Sequence, residues 1–196
     1  MPDADQLGGR LALLPVDRLT DEQRRVHDRM IQTRIRRGTQ AGYRASLADG
    51  RLIGPFNALL RVPGIATAQL DWVQAISVAG PPADVREVAI LTVAAHWPPG
   101  YVSYAHTIAA RAAGVDHLAV QTLAAGETPD SLTRPQSLAH RLAHRLVERQ
   151  DVPDELYQPL VECFGEAGTV ALVLLIGQYL VTSALLTCFR VPAPVD

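Results

Sequence analysis

Lysine is missing altogether, since all 18 basic residues are arginine. Schiff-base and lysine general-base chemistry are thereby excluded. Cysteine is nearly as scarce: Cys163 and Cys188 stand far apart, neither in a CxxC. Each lies among apolar neighbours, which predicts small buried hydrophobes rather than redox thiols. Neither sign of charge is in strong excess, the formal net being -2. No nucleic acid and no membrane is therefore expected as a partner. The arginines of RIRRG, Arg34 to Gly38, read as a solvated helix end, where cations suit the macrodipole. No Gly-rich phosphate loop and no strand-length alternation appears. The opening MPDADQLGG lacks a basic segment leading into an apolar one, so a cytoplasmic protein is expected.

What is present is helical punctuation. Leu19-Thr20-Asp21-Glu22 sets a cap and first-turn acids before a helix ending near Gly38. Pro55 opens a short helix, Pro63-Gly64 separates it from the next, and GPPAD resets the chain before a helix capped by Ala83 or Asp84. Pro98-Pro99-Gly100 ends that helix; Gly114 and Gly126 end the two that follow, the second capped by Asp116. Arg134 to Gln150 is amphipathic, with Leu138, Leu142, Leu146 and Val147 on one face, and Asp154 caps another helix. Val170 to Phe189 is long and apolar enough to span a bilayer. Its Gly177, Gln178, Thr182 and Ser183 favour a buried central or oligomer-interface helix instead. The expectation is all-α, about eight helices in one domain over residues 1–196, with residues 1–18 as an extended N-terminal arm.

The chemistry gathers in REVAILTVAAHWPPGYVSYAH, Arg86 to His106. A short corner makes its two helices neighbours, and can bring Glu87 on the first within reach of His106 on the second. A carboxylate beside an imidazole fixes its tautomer and prepares it as a general base or acid. Tyr101 and Tyr104 offer phenolic donors, and Tyr101, five residues before His106, is the better placed to stabilise an oxyanion. The plainer alternative is a structural Glu–His hydrogen bond at a sharp turn.

RExxIL, a turn, Tyr-x-x-x-x-His, GQYLVTSALL and a closing FRVP, with GPFNALLRVPGIA upstream, together resemble the carboxymuconolactone decarboxylase and alkylhydroperoxidase D-like superfamily over Leu52 to Pro192. The resemblance implies an all-helical, alkylhydroperoxidase D-like bundle that forms homo-oligomers (dimers, trimers or hexamers) with sites near subunit interfaces. Its peroxidase branch carries a CxxC whose cysteines fall here on Pro99 and Val102. Neither supplies a thiolate, so peroxidase chemistry is not expected. Its other branch often reads Tyr-Glu-Trp-x-x-His; Val102 and Ser103 replace the Glu and Trp, which removes the usual acid and makes the pocket more apolar.

The remaining candidates have both structural and functional readings. Asn57 and Arg61 can orient a carbonyl and clamp a carboxylate, or serve as ordinary polar groups. Gln178 and Tyr179 interrupt an apolar helix and need a partner in a neighbouring helix, a second subunit or a substrate. His96 and Trp97 read first as packing and capping groups and second as pocket residues. His140 and His144 lack the acid of an HExxH and read as a solvated face, so no metal is expected. His27 and His117 sit among surface-like residues and receive no role. The sequence thus points to a small-molecule enzyme, of lyase or isomerase type, acting without cofactor on a cyclic or conjugated organic acid, ketone or lactone. His106 moves the proton, Glu87 orients it and Tyr101 holds the developing charge, while Tyr104 and Val102 line the pocket. A specialised catabolic or natural-product pathway suits it. The rival is a non-catalytic binding or scaffolding oligomer that kept the fold.

Overall fold

Thr20 opens the first long helix with a complete capping box: its side chain accepts from the Gln23 backbone while the Gln23 side chain accepts from the Thr20 backbone. The computed structural model describes residues 4–98 and 100–194. From the cap, α1 (Asp21–Met30) passes through a π-helical turn (Ile31–Ile35) into α2 (Arg36–Ala41), forming one rod. That rod outlasts the predicted stop at Gly38, which lies inside it against the ring of Tyr43. Next come α3 (Pro55–Leu59) and α4 (Pro63–Ala79), each begun by proline, where the missing N–H costs no hydrogen bond. They are followed by α5 (Ala83–Ala95), α6 (Tyr101–Ala112), α7 (His117–Ala124), α8 (Arg134–Val147) and α9 (Asp154–Cys188). Among the described residues there is no strand, only an isolated bridge between Ser46 and Leu52. The fold is all-α.

The central helix is α5 rather than the apolar C-terminal one. Val85 and every residue from Val88 to Ala94 are buried, and α5 packs against α6, α7, α8 and α9. Its alanines and valines let neighbours close in on every side, which an amphipathic stripe does not permit. By contrast α9 buries one face, with Leu172, Leu175 and Ile176 in the main core, and exposes Val170, Val173, Leu174 and Val181. It is long and apolar enough to cross a membrane, yet only 44% of its most apolar window is buried. At Gly165 the backbone turns to φ 69°, ψ 170° and kinks the helix, a conformation open to glycine. The sequence puts Asp154 at the cap; Pro153 occupies it, and Asp154 is a first-turn acid.

The N-terminal arm is strapped down rather than free. Short 3₁₀ turns at Ala4–Gly8 and Val16–Arg18 flank an extended stretch whose Leu7 and Leu13 enter the main core. Arg10 donates its backbone N–H to the Phe189 carbonyl at 2.7 Å and its guanidinium to that of Cys188 at 3.0 Å. A second core cluster, with Val26, Met30, Leu60 and Leu70, joins the first rod to α3 and α4. Between these clusters lies the cavity.

Candidate functional site

The α5–α6 corner brings Glu87 and His106 together. His106 donates from Nδ1 to Glu87 Oε2 at 2.7 Å, with both side chains largely buried at 14% and 16% exposure. With Nδ1 committed to the carboxylate, the lone pair of the neutral ring belongs to Nε2. The ring of Tyr179 stands edge-on to the imidazole, centroids 4.8 Å apart, and limits its rotation.

The pair lies in the wall of a cavity of about 300 Å³ built from every long element except α7 and α8. Tyr101, Val102, Gln178 and Tyr179 also line it, beside Met30, Tyr43, Phe56, Leu70 and Ile90. Burial holds the phenols of Tyr43, Tyr101 and Tyr179 above the usual tyrosine range, and the Glu87 charge adds to this at Tyr43 and Tyr179. These phenols are hydrogen-bond donors, not bases.

Several predicted residues have other work. Tyr101, 4% exposed, donates its hydroxyl to the Arg44 carbonyl at 2.8 Å, so that proton is not free for a substrate oxyanion. Tyr104 takes the Arg44 N–H at 3.0 Å and stands outside the cavity wall. Asn57, buried at 2% exposure, accepts from Leu14 N–H and donates to the carbonyls of Leu11 and Ala12. Arg61 donates to the carbonyls of Asn57 and Ala12. These two fasten the arm, and neither lines the cavity. Gln178 donates to Thr182 one turn on in its own helix. His96 and Trp97 lie at the end of α5, away from the cavity wall; His96 donates Nδ1–H to the Thr92 carbonyl at 2.9 Å. Pro99, one of the two cysteine-equivalent positions, lies outside the described residues, and Val102, the other, is a buried wall residue.

Three further expectations are corrected. Both cysteines are exposed, because each falls on the solvent side of α9. His27 is buried and bonded to Asp28 and to the Gly50 carbonyl. His140 is buried, its Nδ1 2.8 Å from Thr92 Oγ1 and its Nε2 3.0 Å from Thr128 Oγ1. Burial, then the nearby His144 and His96, lowers its pKa from the usual histidine value. Among the described residues, His96, His144 and Glu148 form a group that offers donors to a metal, their ligand atoms within 4.8 Å of one another. None of the three lines the cavity.

Sequence reasoning missed the cavity's arginines. Arg34, Arg37 and Arg86 line it against the single carboxylate of Glu87. Arg37 donates to Gln74 at 3.3 Å and Arg86 to the Pro81 carbonyl at 2.7 Å. Arg34 is not the solvated helix end expected: its Nη2 is buried without a partner, and burial lowers its pKa. The available signal was its register, since Val26, Met30 and Arg34 recur every four residues along the buried stripe. No protein-family model, no curated protein and no solved structure matches this chain.

Proposed function

We propose that the chain is a cofactor-independent proton-transfer enzyme, of lyase or isomerase type, acting on a small cyclic or conjugated organic acid, ketone or lactone. The observation that carries this reading is the 2.7 Å Glu87–His106 pair in the wall of the cavity. In the mechanism, His106 Nε2 takes a proton from the carbon beside a substrate carbonyl. Glu87 keeps the ring in the required tautomer and balances the imidazolium that forms. Charge moves onto the carbonyl oxygen. Because the Tyr101 hydroxyl is committed to Arg44, Tyr179, beside the imidazole and kept protonated by burial, is the donor assigned to that oxygen. Return of the proton to a different carbon completes an isomerisation. In a substrate whose carboxylate stands beta to the carbonyl, the C–CO2 bond breaks instead, its electron pair forms the enolate, and His106 in its protonated form delivers a proton to that carbon to complete a decarboxylation. The resemblance to the carboxymuconolactone decarboxylase-like superfamily supports both outcomes. Neither Cys163 nor Cys188 lines the cavity, which speaks against thiol peroxidase chemistry there.

The test is deuterium wash-in at carbon, followed by NMR, across small keto acids, cyclic ketones and lactones in D₂O. Exchange by wild type is expected to fall about 10²–10⁴-fold in His106→Gln. Equal exchange by a folded His106→Gln refutes the assignment. Binding without exchange or turnover leaves the second reading, a binding protein, which Val102 in place of the family's acid favours. We also infer a homo-oligomer, supported by the apolar stripe of Val170, Val173, Leu174 and Val181 on α9, beside exposed Trp72 on α4.

A further inference from the structure

The cavity holds an electrostatic imbalance that proton transfer leaves unused. Three guanidiniums line it against one carboxylate, in a chain whose overall charge is -2. The carboxylate is engaged by His106, and Arg37 and Arg86 have protein acceptors. Arg34 has none at its buried Nη2. A buried guanidinium nitrogen without an acceptor opposes folding, and persists where a ligand supplies the acceptor.

The backbone is also specialised at this point. Arg34 lies in the π-helical turn Ile31–Ile35, which closes with the Arg36 N–H bonded to the Ile31 carbonyl five residues back. Such widened turns are rare and concentrate at functional sites. Across from this rod in the sequence, on α4, Gln69 presents a second orphan to the same cavity: Oε1, buried, with no donor. The cavity thus offers a cationic donor in need of an anion and a neutral acceptor in need of a donor.

We infer that Arg34 and Gln69 form the recognition end of the cavity, taking a small carboxylate that also carries a hydroxyl, enol or N–H group. The carboxylate accepts from the Arg34 fork and the donor group satisfies Gln69 Oε1. This rests on the cavity being the ligand site proposed above, but not on any reaction occurring there. At about 300 Å³ the cavity is at the small end of ligand pockets, suited to one ring and its substituents.

The probes are 2-, 3- and 4-hydroxybenzoate, the corresponding hydroxybenzamides, unsubstituted benzoate and inorganic phosphate, titrated calorimetrically into wild type, Arg34→Met, Gln69→Leu and His106→Gln. Wild type is expected to bind its best hydroxybenzoate about tenfold or more tightly than the matching amide. Arg34→Met erases that preference, and Gln69→Leu erases the preference for hydroxybenzoate over benzoate. His106→Gln keeps both, which separates the subsite from the proton-transfer reading. Equal affinity for acid and amide, binding by none of the hydroxybenzoates, or tighter binding of phosphate overturns the inference. A ligand-free melting comparison gives an independent arm. Arg34→Met is expected to melt higher than wild type, since it removes an orphaned charge, and a lower melting point makes Arg34 structural and overturns the inference.

Discussion

Gly54→Ala probes how closely the backbone before α3 approaches the cavity wall. Gly54 sits at φ 64°, ψ -146°, and a Cβ added there lies 2.5 Å from Tyr101 Cζ and 2.6 and 2.7 Å from its two Cε atoms. Two costs arise. The backbone region is one that side-chain-bearing residues avoid, at about 1–3 kcal/mol. The steric overlap costs about 1–3 kcal/mol more. The ring has little room to retreat, being 4% exposed and tied through its hydroxyl to the Arg44 carbonyl at 2.8 Å. A loss of about 2–6 kcal/mol is expected, or about 0.7–3 M in urea midpoint with a slope near 2–3 kcal/mol/M. Urea unfolding at fixed protein concentration measures it. Repeating the substitution in Tyr101→Leu should leave only the backbone part, about 1–3 kcal/mol, because the overlapping ring is gone. A loss under about 1 kcal/mol, or an equal loss in both backgrounds, refutes the reasoning.

Asn57→Ala should release the arm, because it orphans the Leu14 N–H and the Leu11 carbonyl and leaves the Ala12 carbonyl to Arg61 alone; a loss of about 1–3 kcal/mol and early proteolysis before Val16 are expected, with cavity ligand affinity unchanged. Loss of affinity without arm cleavage would restore Asn57 to substrate binding. His140 predicts a pH effect. Its folded-state pKa is lowered, so the unfolded chain binds the proton more readily, and stability should decline as pH falls below about 6.5 towards the folded value. Urea midpoints across that range should show the decline in wild type and a flatter profile in His140→Gln; parallel profiles would contradict it.

The helices were legible because their ends are written locally. Thr20 with its first-turn acids, Asp116 accepting from Ala119, and the left-handed Gly114 and Gly126 all act within one turn of themselves. The Glu87–His106 contact was legible for a related reason: the short corner leaves their two helices little choice but to adjoin. What failed were inferences from sequence neighbours. Arg141 follows His140, but adjacent positions on a helix point about 100° apart, so Arg141 is exposed while His140 meets Thr92. The same error hid Arg34 among the arginines of RIRRG. Of the two readings of α9, central or at an oligomer interface, the first fails because apolar content does not reveal which helix the others surround. That place went to α5, whose small residues permit close approach from all sides. Between the ligand and the structural reading of Asn57 and Arg61 the sequence offers no choice, because the arm they hold carries no local signal of where it docks.

The strap between Arg10 and the end of α9 has a consequence for engineering the molecule. Residues far apart in sequence are joined there by a 2.7 Å hydrogen bond, Arg10 to Phe189. Labels placed at exposed Arg10 and exposed Arg190 therefore share one region of the surface, where they would report on each other's distance rather than on the cavity. The same proximity lets a short peptide bridge the two points, so that new ends can be opened in an exposed connection elsewhere while the helices keep their order in space.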